Sequence, residues 1–239
     1  MTQASLSERA SSQAPAAPSL DRRSVRTRAS LRDALAAAIE STGDLSRVTV
    51  TAVADGAGVT RRTFYSHFKD IPDLVAWVEG SSIDELRPYV RAVVASHLDE
   101  LERVISKSEP APGAVELLTF FKNRPYVCAL IGEGGDPAFA EHIKAMVHEE
   151  VCGRALDGID ARTLGPFFDY YLTFVVSAEA GVLVRWIAGG MEEDVCTMAE
   201  IMTLLAFVRP GDLYNNPMHI PVTRLGIALI KHMKENSHA

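Results

Sequence analysis

TVTAVADGAGVTRRTFYSHF, running from Thr49 to Phe68, reads as two short helices joined by a tight turn. A threonine hydroxyl at a helix start accepts a hydrogen bond from a first-turn amide that has no partner within the helix. Thr49 is placed to open the first helix in this way, and Thr60 the second. Val50, Val53 and Ala54 then share one face at helical spacing. Gly58 supplies the left-handed backbone that a sharp turn requires, with Val59 as the apolar plug beneath it. Phe64 and Phe68, four apart, make the buried stripe of the second helix. Arg61, Arg62, Thr63, Tyr65 and His67 are left at or near its outward face, nearly all of them hydrogen-bond donors. A helix-turn-helix lays such a second helix in the major groove with its N-terminal residues at the base edges. A helical hairpin with a solvated polar face shares the same patterning and is the plainer alternative.

Charge is distributed in a way that favours the first reading. The chain of 239 residues carries a formal net charge of −7, which taken alone argues against a nucleic-acid partner. Residues 22–69, however, hold nine Lys/Arg against four Asp/Glu, while residues 70–239 hold fourteen against twenty-five. A basic head on an acidic body suits a protein that meets phosphate at one end only.

The same twenty residues resemble the DNA-binding region of TetR-family transcriptional regulators. That family's pattern runs from a Thr cap through Ile-Ala and Ala-Gly-Val-Ser to Thr-Leu-Tyr-x-His-Phe. Thr49, Val53-Ala54, Ala57-Gly58-Val59-Thr60 and Thr63-Phe64-Tyr65-Ser66-His67-Phe68 stand at those positions without a gap. Two positions depart from it. Arg62 stands where the family often has Gly, adding a cation, and Ile71 stands where the family has a phosphate-contacting Lys. Lys69, two positions earlier, is the residue placed to take over that contact. The resemblance implies a DNA-binding set of Thr49, Thr51, Thr60, Arg61, Arg62, Thr63, Tyr65, His67 and Lys69.

Residues 1–21 form a Ser/Ala/Pro/Gln-rich tail that reads as disordered. Arg22, Arg23, Arg26, Arg28 and Arg32 follow, able either to reach phosphates or the minor groove or simply to keep a tail solvated. Leu31, Leu35, Ala38 and Ile39 give a first helix that Thr42-Gly43 ends, so residues 22–70 form the head. Pro72 suits the first turn of a long connecting helix that Gly80-Ser81-Ser82 is placed to kink and Pro88 to interrupt, the pattern continuing through Leu98 to about Ser106. Helices are expected at 114–123, 125–131, 137–157, 160–189 and about 192–208, with a short amphipathic one at 222–235. The Gly132–Asp136 run lacks the Lys-Ser/Thr of a phosphate loop and reads as a connector. The fold expected is all-α: an N-terminal three-helix bundle, then a larger helical ligand-binding and dimerisation domain over 71–239.

Gly181 to Ile187 also resembles the family's regulatory domain, which implies that the last two long helices pair with their symmetry mates. Val182, Leu183, Trp186, Met198, Met202 and Leu205 are the interface candidates. Phe120, Tyr126, Phe139, Phe167, Tyr170, Tyr171 and Phe174 are candidates to line a ligand pocket. Glu179 offers a counter-charge to a cationic guest or, more plainly, a structural partner for Arg185 or another Arg at the interface.

No catalytic, cofactor or metal pattern stands out. There is no nucleophile elbow, HExxH, Walker or dinucleotide fingerprint, and His148 with Cys152 lacks a third ligand. Three widely spaced cysteines and an N-terminus without an apolar core imply a reduced, cytoplasmic protein. The apolar stretch from Leu172 to Ala188 is broken by Glu179 and Arg185 and reads as a buried helix, not a membrane span. The expectation is a homodimeric regulator of double-stranded operator DNA, most readily a repressor released by a small apolar effector. The alternatives are an activator, or a scaffold whose body binds a partner protein.

Overall fold

Apolar residues three and four apart fix the longer helices of the computed structural model, which describes residues 19–95, 100, 103–104, 106–107, 109–153 and 166–206. All regular elements among the described residues are helical. They are α1 (Ser19–Thr42), a 3-10 turn (Leu45–Arg47), α2 (Val50–Gly56), α3 (Arg61–Tyr65), α4 (Ile71–Val94), α5 (Ala114–Lys122), α6 (Pro125–Ile131), α7 (Pro137–Cys152), α8 (Pro166–Ala188) and α9 (Val195–Leu205). The expected helix over 222–235 lies outside the described residues.

α1 starts at Ser19, inside the segment expected to be tail, so Arg22, Arg23, Arg26 and Arg28 ride on a helix. Arginine is a good helix former, and the stripe of Leu31, Leu35 and Ile39 anchors the element from its C-terminal half. α4 runs unbroken past Gly80 and Pro88 to Val94. A mid-helix proline costs about 3 kcal/mol. Leu86 and Val90, both buried on the core face, each return about 1.5–3 kcal/mol. Asp84, whose carbonyl the proline leaves without its amide, is exposed to water. Packing therefore outweighs the local break that the sequence suggests.

Head and body share one core. Leu31, Leu35, Ile39, Val53, Phe64, Phe68, Leu74 and Val78 form a single cluster with Tyr126, Val127, Leu130, Phe139 and Ile143. α1 lies against α2 on one side and α6 on the other, while α4 packs on α5 and α7. The Arg32 guanidinium stacks 3.8 Å over the Tyr126 ring, and Arg124 bonds Glu85 at 2.9 Å. Glu79 of α4 is buried, its Oε2 3.4 Å from Nδ1 of His142 on α7 and its Oε1 without a hydrogen-bond partner among the described residues. Burial, then the neighbouring Asp136, raises its pKa. The thiol of Cys128 is pushed up to about 11, by burial first and then by Glu40, which makes it an inert core group.

The Gly132–Asp136 connector does more than link two helices. Its Gly134 carbonyl accepts a 2.7 Å hydrogen bond from the Leu45 amide of the head. Gly134 has φ +79°, and a Cβ there would overlap the carbonyl oxygen of Gly43. Gly134→Ala is expected to lower unfolding stability by about 1–3 kcal/mol through strain and loss of that contact, read by urea denaturation. An unchanged midpoint would show that the two segments are not tied together.

α8 buries one face in the single chain, where burial on more than one side was expected. Phe168, Leu172, Trp186 and Ile187 are covered, while Tyr170 and Phe174 are 74% and 71% exposed. Among the described residues, Phe168–Ala188 is the one helix long and apolar enough to cross a membrane by length and composition.

Candidate nucleic-acid interface

Local hydrogen bonding builds the helix-turn-helix as the threonines imply. Thr49 Oγ1 accepts from the Ala52 amide at 3.2 Å, and Thr60 Oγ1 from the Thr63 amide at 3.1 Å. Each hydroxyl accepts from the backbone and so keeps its proton to donate. Gly58 has φ +65°, and the Val59 amide reaches back to the Ala54 carbonyl at 2.9 Å, closing the turn. Phe64 and Phe68 are buried, and Phe68 meets Trp77 of α4 at 5.5 Å between ring centroids. These anchors fix the orientation of α3 on the head.

The outward residues divide by what each can offer. Arg61 and Arg62 are exposed and make no ion pair among the described residues. Two unpaired guanidiniums in the first turn of the second helix are positioned for base edges or phosphates. Thr63 is half-buried, its hydroxyl 3.0 Å from that of Thr60, so the two would act together. Thr51 and Lys69 are exposed, and the Lys69 amide is held at 2.8 Å by Asp73 Oδ2, which leaves its ammonium free to swing. Tyr65 is exposed, its ring edge-on to Phe64 at 5.6 Å. His67 is half-buried, and burial, with Arg28 second, lowers its pKa. It is therefore neutral at physiological pH and offers hydrogen bonds in place of charge.

Arg28 of α1 lies against the motif, its guanidinium carbon 5.8 Å from the Phe68 ring centroid and 5.7 Å from that of Trp77. Its Nε is buried without a hydrogen-bond partner among the described residues. Sequence reading grouped it with a basic tail, because the aromatic pair that receives it comes forty and more residues later. Asp70 was missed as the cap of α4; its carboxylate accepts from the Asp73 amide at 2.9 Å.

The body residues singled out by sequence are scattered. Phe120, Tyr126 and Phe139 are packed into the shared core, whereas Tyr170, Tyr171 and Phe174 are exposed. The Phe167 side chain lies outside the described residues. An open cleft of about 600 Å³ between the C-terminal ends of α4 and α7 is lined instead by Arg87, Arg91, Val94, Ala95, Glu149, Glu150 and Gly153. Its arginines are engaged by Glu150, whose pKa the hydrogen bonds from Arg91 and Arg87 lower. Of the interface candidates, Trp186 and Met198 are used inside the chain, and the indole Nε1 donates to the Glu193 carbonyl at 3.2 Å. Val182, Leu183 and Met202 are half-buried, and Leu205 is exposed beside Ile201 and Leu204. His148 and Cys152 touch each other, with no cluster of three metal-ligating groups among the described residues.

An all-α fold with a capped, cation-bearing second helix defines a helix-turn-helix DNA-binding regulator. Residues 34–77 match the family model described as bacterial regulatory proteins, tetR family, and residues 108–207 the one described as transcriptional regulator C-terminal region. Together the two matches span more than half of the chain, which belongs to the TetR family of transcriptional regulators. The fold is similar to a structure described as that of the fatty acid degradation regulator FadR from Bacillus halodurans. The TM-score is 0.50 at 15% identity, with 75% of this chain and 94% of that chain covered. No curated protein matches.

The Lys69 side chain reaches solvent without an ion pair among the described residues. Lys69→Ala is expected to weaken all DNA sequences alike and to lower the salt slope of binding by about one unit, measured by fluorescence anisotropy across salt concentrations. An unchanged slope would remove Lys69 from the phosphate contacts.

Proposed function

We propose that the protein is a homodimeric repressor that places two copies of α3 in successive major grooves of a palindromic operator, about 34 Å apart. The observation that carries this reading is the pair of exposed guanidiniums, Arg61 and Arg62, at the start of a helix whose cap and turn are fixed by Thr60 and Gly58. The exposed apolar residues Tyr170, Phe174, Ile201, Leu204 and Leu205 on α8 and α9 support a dimer through these helices. A small, largely apolar effector in the body, neutral or weakly cationic, would release the DNA by favouring a conformer whose head spacing fits the operator less well. The shared core and the Leu45–Gly134 bond support such a coupling, since movement of α6 and α7 would carry the head with it.

The test is transcription from the adjoining promoter in cells lacking the gene. A repressor predicts a rise. A fall would make the protein an activator, and no change at that promoter would leave it without the proposed role there.

A further inference from the structure

Glu179 occupies the middle of the inward face of α8. At about 100° per residue it lies within about 40° of Phe168, Leu172, Leu183 and Trp186, and about 120° or more from Tyr170, Phe174 and Arg185. Two and three turns before it, Leu172 and Phe168 pack with Val151, Cys152 and Val176. Beyond it, Trp186 packs with Leu118, Met198 and Ala199, and Leu183 rests on that cluster. A carboxyl at the centre of such a face calls for a cation. Among the described residues it has neither a hydrogen bond nor an ion pair.

The candidates to neutralise it are engaged elsewhere. α7 packs against α8. On it, Lys144 is held by Glu141, His142 by Glu79, and His148 Nδ1 lies 3.6 Å from Cys152 Sγ. Arg185, on α8 itself, is exposed on another face. Asp169, the other acid of α8, is exposed as well. Despite its inward position Glu179 is only half-buried, so the face is not sealed at that turn.

We propose that Glu179 is the polar anchor of the effector site and that the effector is an apolar amine, its ammonium on this carboxylate and its hydrocarbon body along the two flanking apolar clusters. This rests on the ligand-gated reading above and specifies its chemistry. Burial pushes the Glu179 carboxyl up to about 7. Between the ordinary carboxylate range and that value, the empty folded protein keeps a proton that the unfolded chain has lost. Its stability therefore falls as pH rises through this window. An ammonium guest reverses the balance by favouring the ionised form, so its affinity rises with pH across the same window.

Decylamine, decanol and decanoate share one chain length and differ in head group, which makes them suitable probes of the full-length protein by submicellar titration calorimetry. Decylamine is expected to bind about tenfold or more tightly than decanol, and decanoate more weakly than either. The amine's affinity should climb from about pH 5 to about pH 7 and level off above it in the wild type, and be flat in Glu179→Gln, where amine and alcohol become equal. Alcohol binding by the variant, together with its circular dichroism, reports that the site and fold survive. Equal binding of amine and alcohol by the wild type, a preference for decanoate, an undiminished amine preference in Glu179→Gln, or no binding of any probe would overturn the proposal. Operator release is measured in the same samples. Selective amine binding without release keeps the site and removes ligand gating, whereas release by a probe that ignores Glu179 keeps gating and removes the site.

Discussion

Phe174→Glu is expected to turn the proposed dimer into a monomer in sedimentation equilibrium at micromolar concentration and to abolish specific operator binding with it. Phe174 stands 71% exposed on α8, beside Tyr170 one turn away and on the same helix as the core residues Leu172 and Trp186. Obligate interfaces bury about 2,000 Å² or more, and an unpaired charge forced into such an interface costs about 3–5 kcal/mol. Two-fold symmetry brings the substitution in twice, so dissociation should rise by about four to seven orders of magnitude. The choice of residue matters. A charge at Leu183, half-buried against the chain's own core, would confound unfolding with dissociation, whereas Phe174 faces solvent in the single chain. A Phe174→Glu protein that still sediments as a dimer would place the interface elsewhere.

Arg61→Ala should cost about 1–3 kcal/mol per half-site and relax sequence preference at the base pairs it reads. Thr60 fixes the helix start, Phe64 and Phe68 fix its rotation, and the Arg61 guanidinium is left exposed with no carboxylate among the described residues to hold it back. Removing it takes away a contact made only to DNA, so the fold should keep its thermal midpoint. Competition anisotropy between operator and scrambled duplex measures both affinity and preference. A variant that discriminates as well as the wild type would shift base reading to Arg62 or to the Thr60–Thr63 pair.

Much of the head was legible because its determinants are near neighbours in sequence. The caps Thr49 and Thr60, the turn at Gly58 and the Phe64–Phe68 stripe each involve residues within five positions of one another. What sequence missed depends on distant partners. Arg28 finds Phe68 and Trp77, and Leu45 finds Gly134, across separations that no local pattern encodes. Pro88 misled because its local cost was visible and the burial of Leu86 and Val90 that offsets it was not. In α8 the difficulty was direction. Aromatic residues occupy both faces, so hydropathy alone did not separate the inward Phe168 from the outward Tyr170 and Phe174. The suggested Glu179–Arg185 pair fails on geometry, since residues six apart on a helix point about 120° from each other.

Cleavage protection of the DNA upstream of the gene, by hydroxyl radicals in the presence of full-length protein, tests the central claim most directly. The account predicts a two-fold symmetric pattern with two protected half-sites one helical turn, about 34 Å, or a whole multiple of it apart, each lost in the Arg61→Ala protein. Protection of a single asymmetric site, or uniform protection that Arg61→Ala leaves in place, would contradict it.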